Sequence, residues 1–158
     1  SVSQVYRGGP MLLEATRLME HVHGHLGWLA AATLVHPAIV LRSRTRRAHY
    51  AVGLSTGFVT VAAGIGVWLY EAYRERLKQG IFMHAPSIGL LFERKEHLAV
   101  GAVLLAWAGA AAYFAAASAA EPTRERLRTI AFRAYCGSAS LAILVAVLGT
   151  VVAVYRSF

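Results

Sequence analysis

The sequence predicts an all-α integral membrane protein, folded as a four-helix bundle with both termini on the outer side of the membrane. Only 15% of its 158 residues are charged and 57% are apolar, whereas a soluble domain carries about 25% charged residues. The apolar residues fall into four long blocks, and a helix needs about 20 such residues to cross the hydrocarbon. The connections between the blocks also differ in charge, as the positive-inside rule requires.

The four predicted spans cover about residues 25–41, 50–73, 97–120 and 130–155, within a single transmembrane domain over 1–158. An amphipathic helix at about 11–24 precedes the first span. We expect it to continue into that span, because 25–41 alone is short for a full crossing. The other three blocks are long enough by themselves.

The charges of the connections predict the orientation. "RSRTRR" between the first two spans holds four Arg and no acidic residue, and "EPTRERLR" between the last two holds three Arg and two Glu. The connection over 74–96 mixes five basic residues with three Glu. The positive-inside rule therefore places the first and third connections in the cytoplasm, and we expect a bacterial inner membrane. The net charge of +8 is thereby assigned to membrane flanks, and no nucleic-acid partner is expected.

Histidines form a stripe along the first predicted span, "HVHGHLGWLAAATLVHPAIVLR". From His25 to His36 is eleven residues, which returns a helix to within about 20° of the same face at a separation of about 16 Å. His21 lies one turn before His25, on the same face. His36 is the most informative of the three, because an ionisable residue deep in a span is costly and marks a functional candidate.

Two histidines on other spans have matching depths. His97 opens the third span on the side of His25, and His49 opens the second span on the side of His36. This arrangement predicts the pairs His25–His97 and His36–His49, and two neutral imidazoles can bind one haem iron from opposite faces. On the first helix, His21 and His36, about 22 Å apart, are an alternative to His25 and His36 as the two ligand positions. The choice between His21 and His25 therefore stays open.

The four-span layout and this histidine pattern, over about 20–158, resemble the membrane cytochromes b. The nearest comparisons are cytochrome b561-like proteins and the haem-bearing membrane anchor subunits of respiratory complexes. The resemblance implies one or two b-type haems and electron transfer between quinone and a partner redox subunit, within an oxidoreductase complex surrounded by lipid. Four aromatic residues near the span ends are candidates for contact with quinone: Trp28, Tyr50, Trp68 and Tyr70.

Two other functions fit parts of the pattern. The GxxxG step of Gly53 and Gly57 favours close helix packing, as in a cofactor-free membrane subunit or an assembly factor. The alternating histidines of "HVHGH" are typical of a copper or zinc site, joined by Met83 and His84 of the outer connection. They converge only if Gly24 breaks the helix. The single cysteine, Cys136, excludes an internal disulfide and a CxxCH haem attachment.

Overall fold

The computed structural model describes residues 10–43, 48–76, 82–83 and 85–156. Four long helices make up nearly all of these ranges: α1 (Pro10–Arg42), α2 (His49–Arg76), α3 (Pro86–Ser118) and α4 (Thr123–Arg156). Each helix contains a stretch long and apolar enough to cross a membrane. The predicted all-α fold with four such helices is therefore confirmed, and it indicates an integral membrane protein.

The helices extend beyond the apolar blocks from which they were predicted. α1 runs without interruption through Gly24, so the amphipathic segment and the first span form one helix. α3 begins at Pro86, well before His97, and proline suits a first turn because its missing N–H has no intrahelical partner there. Hydropathy marks only the apolar part of a helix, so it does not locate charged helix ends.

The four helices form a ring. α1 packs against α2 and α4, and α3 also packs against α2 and α4. α1 and α3 are therefore diagonal to each other. The beginning of α2 lies beside the later part of α3, where the backbone N–H of Ala48 donates to the Tyr113 hydroxyl at 2.9 Å, so these two helices are antiparallel.

Small residues fill the interface between α3 and α4. Ala102 and Ala106 of α3 and Ala139 of α4 are all buried. A Cβ atom placed on Gly109 would lie only 3.0 Å from the ring of Tyr135, so this glycine lets the aromatic ring lie against the α3 backbone. Helix association in lipid depends on this kind of close contact, because burial of apolar surface provides little driving force there.

Hydroxyl groups join neighbouring helices at buried positions. Ser55 of α2 donates to the Thr33 carbonyl of α1 at 2.6 Å. Ser138 of α4 donates to the Ala102 carbonyl of α3 at 2.7 Å. Such bonds contribute on average about 0.6 kcal/mol each in a membrane protein, so they fix the register of the helices more than they stabilise the bundle.

The outside of the bundle is apolar on several helices. Val67 is 73% exposed, and Leu104 and Ile39 are each 64% exposed. Large exposed apolar surfaces are rare on soluble monomers, and lipid is the surrounding that suits them.

The glycine step of α2 lies on this outer surface. No atom lies within 4 Å of a Cβ atom placed on Gly53, Gly57 or Gly64. The close packing expected at these glycines therefore does not occur against the described part of this chain, and the step is accessible to another helix.

Candidate functional site: the outward-facing histidines

The histidine stripe of α1 lies on its outward face. His21, His25 and His36 are all exposed, whereas Ala30 and Leu34 on the opposite face are 3% and 0% exposed. Helical geometry thus puts the three histidines on one side, as predicted, but that side points away from the core of the bundle.

His25 and His97 each make the same kind of local hydrogen bond, from the ring to the backbone of their own helix. The Nδ1–H of His25 donates to the His21 carbonyl at 2.8 Å, and the Nδ1–H of His97 donates to the Glu93 carbonyl, also at 2.8 Å. In both cases the acceptor is the backbone one turn earlier, and a carbonyl can only accept. Each bond therefore leaves Nε2 as the ring nitrogen with an available lone pair. Metal-binding histidines are commonly held in this way, because the bond fixes both the tautomer and the ring orientation.

The structure does not bring His25 and His97 together. Both side chains are exposed, and their helices, α1 and α3, are diagonal in the ring. Their outward faces therefore point to opposite sides of the molecule. This arrangement does not fit one haem bound by both histidines inside a single bundle. Each histidine instead lies on the outer surface of the bundle.

His36 lines an outward-open groove between α1 and α2. The groove has a volume of about 380 Å³ and eight lining residues: Ala32, Thr33, His36, Tyr50, Ala51, Leu54, Ser55 and Phe58. His49 is not a lining residue, but its ring centroid is 4.2 Å from that of Tyr50. Small-molecule sites span about 300–1,000 Å³. The groove lies near the lower limit of this range.

Among the histidines that the structure describes, His23 is the one whose side chain is turned toward the interior, a position that the sequence pattern did not predict. Its Nδ1 atom is buried without a hydrogen-bond partner in the described part of the chain. A Cβ atom on Gly66 of α2 would lie 2.9 Å from its Cε1 atom. His23 precedes Ala30 by seven residues and Pro37 by fourteen, which is close to two and four helical turns. This helical spacing from Ala30 and Pro37, which are both buried, was the available signal.

Substituting Gly66 with Ala is expected to destabilise the protein, because the imidazole of His23 must move to admit a methyl group. Overpacking of this kind costs about 1–3 kcal/mol, measurable as reduced resistance to unfolding in mixed detergent micelles containing dodecyl sulfate. Gly57→Ala is the matched control, since nothing lies within 4 Å of that position. Alanine there is expected to be neutral or to stabilise α2 by up to about 1 kcal/mol.

A second variant checks the cause of that effect. His23→Ala combined with Gly66→Ala removes the ring that the new methyl group meets, so the double variant is expected to recover part of the lost stability. Equal stability of the Gly66→Ala and Gly57→Ala proteins would show that the close contact does not exist.

A copper or zinc site finds no support among the described residues. α1 is continuous at Gly24, so the histidines of "HVHGH" do not converge. Within the described ranges, no three side chains of His, Cys, Asp or Glu lie close enough to hold one ion. Met83 is 75% exposed, and His84 lies outside the described residues.

Comparison with known proteins gives no family assignment. The chain matches no family model, no curated protein and no solved structure, so its function has to be inferred from the histidine geometry itself.

Proposed function

We propose that this protein is a b-type cytochrome subunit of a bacterial inner membrane, which binds haem through outward-facing histidines and transfers electrons within a larger redox complex. One observation carries this proposal: His25 and His97 each donate a hydrogen bond from Nδ1–H to a backbone carbonyl one turn earlier in their own helix. Two residues on different helices are thereby prepared in the same way to bind a metal through Nε2. Both chain termini would face the outer side, as the charges of the connections favour.

The exposure of these imidazoles supports a bound group outside the chain. A polar ring that faces lipid is energetically costly, and ligation to iron or contact with another subunit removes that cost. Because His25 and His97 face opposite sides, each would hold a separate haem together with a residue of a partner subunit. The haem would contribute one-electron chemistry. This chain would contribute the two imidazole rings, each oriented by its hydrogen bond to a backbone carbonyl.

An optical experiment tests the proposal directly. The complex is purified in mild detergent from cells supplied with haem, a reduced-minus-oxidised spectrum is recorded, and haem is counted per chain as the pyridine haemochrome. A b-type α-band with close to two haems per chain is the expected result. A colourless complex would refute the cytochrome function.

A cofactor-free membrane subunit or assembly factor is the second candidate. It is favoured by the accessible surface at Gly53 and Gly57, where another helix can approach closely. It predicts a colourless protein whose partner no longer co-purifies after Gly57→Leu. Haem in the wild-type complex, retained in that variant, argues against this candidate.

A further inference from the structure

We propose that the outward face of α4 binds the phosphate head group of an anionic phospholipid through the guanidinium groups of Arg126 and Arg133. This proposal goes beyond the redox function proposed above and is independent of whether haem is bound. Both arginines are exposed. They are seven residues apart on one helix, which puts them within about 20° of the same face and about 10 Å apart along the axis.

The face that carries these arginines points away from the bundle. Ala131 and Tyr135, on the other side of α4, are each 0% exposed. Ile130, which lies between the two arginines, is 51% exposed, and Leu144 and Val147 further along the same face are 44% and 43% exposed. One outward face thus carries positive charge at one end and an apolar surface beyond it. This order matches the charged head group and the apolar chains of an anionic phospholipid.

The chain itself supplies no acidic partner at the depth of Arg133. The sequence holds no Asp or Glu in 21–70, 97–120 or 126–158. The nearest acidic residue along α4, Glu125, lies eight residues before Arg133, about 12 Å along the helix. In the described part of the chain, neither Arg126 nor Arg133 makes an ion pair or a side-chain hydrogen bond. A negative group from outside the chain is therefore expected, and the planar guanidinium suits a phosphate because it binds two oxygens at once.

The depth of the two arginines suits a lipid head group. The apolar span of α4 was predicted to begin at about residue 130, so Arg126 lies about one helical turn outside it and Arg133 about one turn inside it. Side chains on an α-helix lean toward its N-terminus, and a long arginine side chain extends its charged end toward the membrane surface. The guanidinium of Arg133 is therefore expected to approach that of Arg126, which brings two positive charges within reach of one head group.

Native mass spectrometry of the full chain tests the proposal. The protein in mild detergent is titrated with an equimolar mixture of phosphatidylglycerol and phosphatidylcholine that carry the same acyl chains, and bound lipid is identified by its mass. We expect phosphatidylglycerol to bind preferentially. Arg126→Gln and Arg133→Gln should each weaken its binding about fivefold, the contribution of one arginine near a membrane surface. Arg133→Lys, which keeps the charge but not the planar group, should retain more binding than Arg133→Gln.

Arg128→Gln is the matched control. Arg128 is exposed at the same end of the same helix, but it lies five residues before Arg133 and therefore about 140° away around the helix. Its replacement removes the same charge from a different face and should leave the preference for phosphatidylglycerol unchanged.

Three results would overturn the phospholipid site: equal binding of the two lipids, an equal loss of binding in the Arg128→Gln protein, or displacement of phosphatidylglycerol by an equal concentration of inorganic phosphate. The first indicates recognition of the acyl chains alone, the second attraction to the overall charge of this helix end, and the third a site for small anions. Circular dichroism and gel filtration confirm that each variant is folded. Arg126, which lies outside the predicted span, decides the outcome if the Arg133→Gln protein does not fold.

Discussion

Replacing Tyr135 with Ala is expected to lower the free energy of unfolding by about 3–5 kcal/mol, the usual cost of removing a buried aromatic side chain. Tyr135 of α4 is 0% exposed. Its ring lies against the α3 backbone, at Gly109. Its hydroxyl lies 2.7 Å from Thr56 Oγ1 and donates to the Val52 carbonyl of α2 at 3.2 Å. One side chain thereby connects three helices, and its removal leaves a cavity among them.

Two further variants separate the ring from the hydroxyl. Tyr135→Phe keeps the ring but loses both hydrogen bonds of the hydroxyl, so it is expected to cost about 1.2 kcal/mol, at an average of about 0.6 kcal/mol for each bond in a membrane protein. Phe114→Ala removes an aromatic ring that is 53% exposed and should change stability by no more than about 0.5 kcal/mol. Unfolding in dodecyl sulfate micelles measures all three. Equal losses for Tyr135→Ala and Phe114→Ala would contradict the central role of Tyr135.

The four helices could be predicted from the sequence because crossing a membrane imposes a local requirement, an apolar run of sufficient length. The contact of Tyr135 with α2 could not be predicted in this way. It depends on which helices become neighbours, and Thr56 lies 79 residues away along the chain. The charged beginning of α3 was missed for a different reason, since hydropathy is insensitive to a helix that continues beyond the apolar region.

The sequence correctly predicted that His21, His25 and His36 share one face of α1. It did not predict that this face points away from the interior of the bundle. In a soluble protein the apolar face marks the interior, whereas a helix in lipid is apolar on both sides. Small residues are the better guide to the interior of a membrane bundle. Ala30 and Ala31 are buried, and His23 shares their side of the helix. Helical spacing and depth favoured His25 and His36, which face outward, whereas His23 was considered only for a copper or zinc site.

Replacing His25 or His97 with Ala is expected to remove the haem of one face only, and the double variant is expected to lose both. This additivity follows from the positions of the two histidines on opposite sides of the ring, since changes at separate sites add while changes within one site do not. The measurement is haem per chain by pyridine haemochrome in the purified complex, together with the low-spin ferric signal in electron paramagnetic resonance. Each single variant should retain about half of the wild-type haem if two sites are occupied independently.

His21→Ala is the matched control for His25→Ala. The bond that orients His25 is accepted by the backbone carbonyl of residue 21, so removal of the His21 imidazole leaves that acceptor in place, and haem should be retained. Loss of haem from His21→Ala, with retention in His25→Ala, would make His21 the ligand instead. A double variant that loses no more haem than either single variant would mean that His25 and His97 bind the same iron. The two helices would then have to rotate about their axes when haem binds, because His25 and His97 face outward on diagonal helices in this structure.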